Sequence, residues 1–137
     1  MLPLHWPHDF SPAINRTWCW GRGFGREYHR VVAHISGQLE ARESPPETVW
    51  GTEPTRRSIA PRICHRIQEL FEWPNDHFLP DDPIDILFLA PWDDLEIVEL
   101  IMQIEEDFGI DIPDREAESW RVLSDVMNTV ADKLCEP

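Results

Sequence analysis

Residues 93–118, DDLEIVELIMQIEEDFGIDIPDREAE, constrain the fold more tightly than any other stretch. Ile97, Ile101, Ile104 and Phe108 recur at i, i+4, i+7 and i+11, a spacing that draws one apolar stripe along a helix. Asp93 and Asp94 stand where a carboxylate satisfies free backbone N–H groups at a helix start. Gly109 follows as a stop, because glycine enters the left-handed conformation without strain. Pro113 opens a second, short helical turn, where its missing N–H costs nothing. Leu95, Val98 and Met102 form a shoulder beside the stripe, and Glu99, Glu105 and Glu106 flank it. The predicted outer face is therefore acidic with apolar insets.

This run resembles the acyl carrier proteins, whose second helix begins at an Asp-Ser-Leu motif, continues as an acidic amphipathic helix to a Phe, and leads to an Ile-Pro-Asp turn. Asp93-Asp94-Leu95 sits at the motif, Glu105-Glu106-Asp107-Phe108 at the helix end, and Ile112-Pro113-Asp114 at the turn. The correspondence runs without a gap from Asp93 to Leu134 and extends more loosely back to Ser58. The resemblance implies an all-α, four-helix bundle with a long first loop. It also implies that the second helix docks onto a basic patch of partner enzymes. Carried over, the docking face is Asp93, Asp94, Leu95, Glu96, Glu99, Met102, Glu105 and Glu106.

One departure bears on function. The family's serine carries the phosphopantetheine arm, and Asp94 holds its place. A serine hydroxyl forms a stable phosphodiester. An aspartate would form an acyl phosphate anhydride, which water cleaves; carboxylates are transient nucleophiles rather than durable anchors. Ser119 and Ser124 lie past the turn and do not substitute. The expected protein has a carrier fold without the covalent handle, and 4'-phosphopantetheine belongs only to the alternative in which the chain is a working carrier.

Charge narrows the partners. The net charge of −14 is divided unevenly, with +2 over residues 1–62 and −16 over residues 63–137. Such an acidic half repels phosphate backbones and anionic membranes, so no nucleic acid is expected and a basic protein surface is the complement. Cys19, Cys64 and Cys135 are odd in number and lack paired spacing, which fits a reduced, cytoplasmic chain. MLPLHWPHDF lacks the basic start and unbroken apolar core of a secretory leader, and no run is long enough for a membrane span.

Residues 1–57 are expected to form an N-terminal extension. Pro3, Pro7 and Pro12 break any early element, yet Trp6, Phe10, Trp18, Trp20 and Phe24 are too apolar for a solvated tail, so the segment either packs on the bundle or binds something. Gly21-Arg22-Gly23-Phe24-Gly25-Arg26 lacks the strand and spacing of a phosphate-binding loop and reads as a linker. His5, His8, Cys19, His29 and His34 match no standard zinc spacing, so no metal site is expected. Residues 27–42 read as a helix through Tyr28, Val31, Val32, Ile35 and Leu39, interrupted by Gly37, and residues 43–57 read as a linker in which Trp50 tucks inward.

The bundle is expected over residues 58–137. Its first helix runs from Ser58, as cap, to Glu72, with Pro61 in the first turn and Ile59, Ile63, Ile67, Leu70 and Phe71 buried. Cys64 and His65 are helix neighbours and point about 100° apart, which disfavours a catalytic dyad. Residues 74–92 form the long loop, whose Phe78, Leu79, Ile84, Ile86, Leu87, Phe88 and Leu89 fold down over the bundle. Asp81, Asp82 and Asp85 lack the glycine and closing glutamate of a calcium loop. Residues 114–119 give the third helix, and Val122, Val126, Met127, Val130 and Leu134 mark the fourth, with Ser119 offered as its cap because Arg121 stands at the family's capping threonine. Trp120 replaces a smaller aliphatic residue there, so local packing should differ.

The reading that follows is a non-enzymatic docking module whose partners carry a basic patch, acyl-transferring enzymes among them. The alternatives are a functional acyl carrier in fatty-acid or polyketide biosynthesis, and a small hydrolase or metal enzyme using His65 or the N-terminal histidines. For the last, no base–nucleophile–orienter set is visible, so no catalytic residue is expected.

Overall fold

A computed structural model describes residues 2–10, 24–90 and 95–135. The expectation of an all-helical chain holds: among the described residues there is no strand, only an isolated antiparallel bridge between Pro83 and Val122. The helices are α1 (Phe24–Ala41), α2 (Pro54–Phe71), α3 (Ile84–Leu87), α4 (Leu95–Phe108), α5 (Asp114–Glu118) and α6 (Leu123–Cys135), with a 3-10 turn at Glu47–Trp50. Helices α2, α4, α5 and α6 occupy the four expected stretches, and α3 is one helical turn inside the long connection between the first two.

Helix α2 packs on α4, α6 and the 3-10 turn. Ile59, Ile63, Ile67 and Phe71 are its buried stripe, and Leu123, Val126, Met127 and Val130 of α6 answer it. The loop residues Phe78, Leu79, Ile84, Ile86, Leu87, Phe88 and Leu89 are all buried, with Phe88 stacked on Phe71 at 5.6 Å between ring centroids. Leu4 and Phe10 belong to the same buried cluster as Val31, Ile35 and Leu39 of α1, Trp50 and the bundle residues.

Residues 2–10 are tied down by polar contacts as well. Gln38 of α1 accepts from the His5 N–H at 3.2 Å and donates to the His5 carbonyl at 2.9 Å, pairing with that backbone as a strand would. Arg42 pairs with the fully buried Asp82 and also donates to the Leu2 carbonyl at 2.8 Å. Asp82 therefore has no freedom to serve with Asp81 and Asp85 as a cation ligand.

Four local expectations are corrected. Helix α2 begins at Pro54 after Glu53, not at Ser58, which leaves Pro61 inside the helix. The extra turn is held by tertiary contacts: Arg56 reaches Asn128 and Ser124 of α6, and Arg57 reaches Glu47 at 3.1 Å. On α4 the fully buried residues are Leu100 and Ile104, while Ile97, Ile101 and Phe108 are only half-buried against the core. The cap of α6 is Asp125, which accepts from the Arg121 and Val122 N–H groups at 2.8 and 3.1 Å. Ser119 instead donates to the Glu116 carbonyl at 2.6 Å. Finally, Leu134 is not part of the core, and Leu123 and Ala131 take that role.

Candidate functional site

The site is built on α4, and its orientation is set at the C-terminal end. At the C-terminus Gly109 adopts φ +64°, and the Ile110 N–H returns to the Glu105 carbonyl at 3.1 Å, closing the helix as its glycine predicts. The Glu105 carboxylate then accepts from the Ile112 N–H at 2.9 Å, fixing the turn into α5. From behind, Arg66 of α2 grips Asp107 through two hydrogen bonds of 2.7 and 2.9 Å. Arg62 donates to the Asp107 carbonyl at 3.1 Å and lies over the Phe108 ring at 4.3 Å. A guanidinium at this end also complements the helix dipole.

With that side pinned, the opposite face is presented outward. Leu95, Val98 and Met102 are 82%, 55% and 61% exposed, which makes them the largest concentration of exposed apolar residues among the described ones. They lie at i, i+3 and i+7, so they form one ridge. Glu99 and Glu106 are exposed beside it, and Glu96 and Glu105 are half-buried. Asp93 and Asp94 lie outside the described residues. Near the start of α4, burial holds the Tyr28 phenol above its ordinary pKa, and the carboxylates of Glu72 and Glu96 push it further the same way.

A groove of about 390 Å³ opens beside the ridge, between α3, α4 and α5. Phe88, Ile97, Ile101, Ala117 and Trp120 line it, Val98 is shared with the ridge, and Asp85, Asp114, Glu118 and Arg121 stand around it. Sequence reasoning missed this groove. The apolar run 84–90 signals burial, but burial and a groove wall leave the same trace in a sequence. Trp120 fits here because its ring is buried while its indole N–H donates to Thr129 at 2.9 Å.

The remaining candidates do not assemble into a catalytic set. Cys64 is buried and its thiol is pushed far up by that burial, whereas His65 is exposed and pairs with Glu69 one turn along. His5 does gather two other rings, with centroids 6.0 Å to His8 and 5.5 Å to His34, which spacing alone did not foretell. Among the described residues, however, no group of three or more His, Cys, Asp or Glu side chains is arranged to hold a metal ion. Cys19 and Gly21–Gly23 lie outside the described residues, and Phe24–Arg26 enter α1. No described helix is long and apolar enough to cross a membrane.

Over 42 residues the chain is 48% identical to an acyl carrier protein of Thermosynechococcus vestitus, a match that covers 31% of this chain and 52% of that protein. The chain thus spans about half the length of that curated relative. No family model matches, and no solved structure matches.

Proposed function

We propose that the chain is an acyl-carrier-like docking module, not an enzyme, which presents the ridge of α4 to proteins with a basic patch and carries no phosphopantetheine at Asp94. The observation behind this reading is the exposure of Leu95, Val98 and Met102 in one ridge, with the exposed acids Glu99 and Glu106 along one side of it. A folded monomer rarely leaves large apolar side chains aligned on one helix without a use. Carboxylates beside them speed encounter with a cationic surface, and the apolar ridge holds it after contact. Methionine at the centre adapts to partners of differing shape. The likeness to acyl carrier protein supports partners drawn from acyl-transferring enzymes.

Intact-mass measurement tests the missing arm. Incubated with coenzyme A and a broad-specificity phosphopantetheinyl transferase, the protein gains no mass, whereas Asp94→Ser gains one arm. A gain by the natural sequence overturns this part. The docking part requires binding to basic partners that weakens as salt is added.

The 42-residue match also favours a second reading, a functional acyl carrier in fatty-acid or polyketide biosynthesis, loaded by an unusual route. Protein isolated from its native host with pantetheine attached would establish it.

A further inference from the structure

Resting on the docking reading, we propose that the groove between α3, α4 and α5 receives one bulky apolar side chain from a basic amphipathic helix of the partner. Val98 is both a wall of the groove and the middle of the exposed ridge, so whatever occupies the groove also covers the ridge. Leu95 and Met102 extend that contact by one turn in each direction, a length suited to a helix laid along α4 with one anchor inserted. The floor of Phe88, Ile101 and Trp120 is apolar and accepts an aliphatic or aromatic anchor.

The charge of the occupant follows from the rim. Asp85, Asp114 and Glu118 are exposed acids of the groove lining, and Glu99 and Glu106 add negative charge across the ridge on α4. Arg121 is the one cation among the lining residues, but its guanidinium donates to its own chain, to the Glu118 carbonyl at 3.0 Å and the Trp120 carbonyl at 3.1 Å. Both bonds leave from Nη1 and draw the group back towards the end of α5, and three acids of the lining stand against this one cation. An occupant that is apolar at its tip and cationic around it matches this rim; an apolar anion does not.

The probe is a synthetic amphipathic helix of Leu and Lys, titrated by fluorescence anisotropy against the full chain. Ala117→Phe fills the groove from its α5 wall and should weaken binding about tenfold or more. A peptide whose central Leu is replaced by Ala should lose affinity to a similar degree, and Ala117→Phe should then cost little more, because both changes remove the same contact. If circular dichroism shows Ala117→Phe unfolded, Val98→Asn replaces it in the cycle. Peptide binding that Glu99→Lys with Glu106→Lys abolishes but groove variants leave unchanged overturns the inference and spares the docking reading. Binding insensitive to both overturns both. A groove that takes decanoate in preference to the peptide, or that a second copy fills in sedimentation, also overturns it.

Discussion

Arg42 and Asp82, 40 positions apart, meet in a bidentate ion pair with both contacts at 2.7 Å. The carboxylate is wholly buried and the Arg42 side chain is 7% exposed. Every strong valence of the carboxylate is used, since the Leu4 and Leu79 N–H groups also donate to it at 2.9 and 2.7 Å. Arg42 donates besides to the Leu2 and His77 carbonyls. This pair joins the N-terminal segment, the end of α1 and the loop that leads into α3.

Arg42→Ala leaves a buried carboxylate with half its partners gone. Removing one member of such a pair typically costs about 3–5 kcal/mol. Urea unfolding of Arg42→Ala should show a loss of that order, with proteolysis of residues 2–10 rising in parallel. Arg42→Ala and Asp82→Ala together should cost less than the sum of the two singles, because each already breaks the same network. Additive losses would mean that the two residues act separately.

The helices and their ends were largely readable from the sequence. Gly109 announced its own positive φ, and the isoleucine spacing of α4 announced a helix. That spacing did not single out Leu100, because a core-facing stripe is wide enough to hold 97, 100, 101, 104 and 108 together, and only the packing partner decides which goes deepest. In the sequence Asp82 is one of three loop acids that fall short of a calcium site, since nothing local marks a residue whose partner is Arg42. The start of α2 was missed for the same reason: Arg56 holds the extra turn by reaching Ser124 and Asn128 in α6. Of the candidate site, the residues of the ridge were readable and the groove was not.

Two glycine exchanges in opposite directions should both stabilise the fold. Gly37 sits within α1, and a Cβ added there meets nothing within 4 Å. Gly37→Ala should therefore gain about 0.5–1 kcal/mol from helix propensity alone. Glu72 holds φ +57° at the end of α2, where the Trp73 N–H returns to the Gln68 carbonyl at 3.2 Å. The buried Trp73, whose indole donates to the Leu87 carbonyl at 3.0 Å, imposes that left-handed residue. Glu72→Gly should relieve roughly 0.5–1 kcal/mol of strain. Thermal melts of both variants check this, and a lowered midpoint in either would refute its rationale.

Acid should reveal the clasp between α2 and α4. The Asp107 carboxyl is held below its ordinary 3.8, first by the Arg66 hydrogen bonds, against burial as the next-largest and opposing influence, with the charges of Arg66 and Arg62 adding to the lowering. A carboxyl depressed in the folded state contributes stability that is fully present above its unfolded value and is lost as pH falls through its folded value. Asp107→Asn should thus lower the urea midpoint at neutral pH, and the gap from the natural protein should close below pH 3.8. Both side chains are partly exposed, so the gap is small and shrinks in salt. A gap independent of pH would assign the effect to packing instead.

The acids of α4 should separate into those that hold the fold and those that meet a partner. Glu105 accepts from the Ile112 N–H in a partly buried setting, so Glu105→Ala strands that donor at a cost of about 1–3 kcal/mol. Glu99 and Glu106 are exposed, and replacing either by Ala should change stability by no more than about 0.5 kcal/mol. Binding should follow the reverse order. Glu99→Ala with Glu106→Ala should weaken capture of the Leu/Lys helix and flatten its salt dependence, while the Glu105 variant, measured at a temperature where it is folded, should bind nearly as the natural protein does. Urea unfolding and anisotropy on the same samples give both orders. If Glu99 and Glu106 matter to neither, their charge serves solubility alone and the α4 ridge is not where the partner sits.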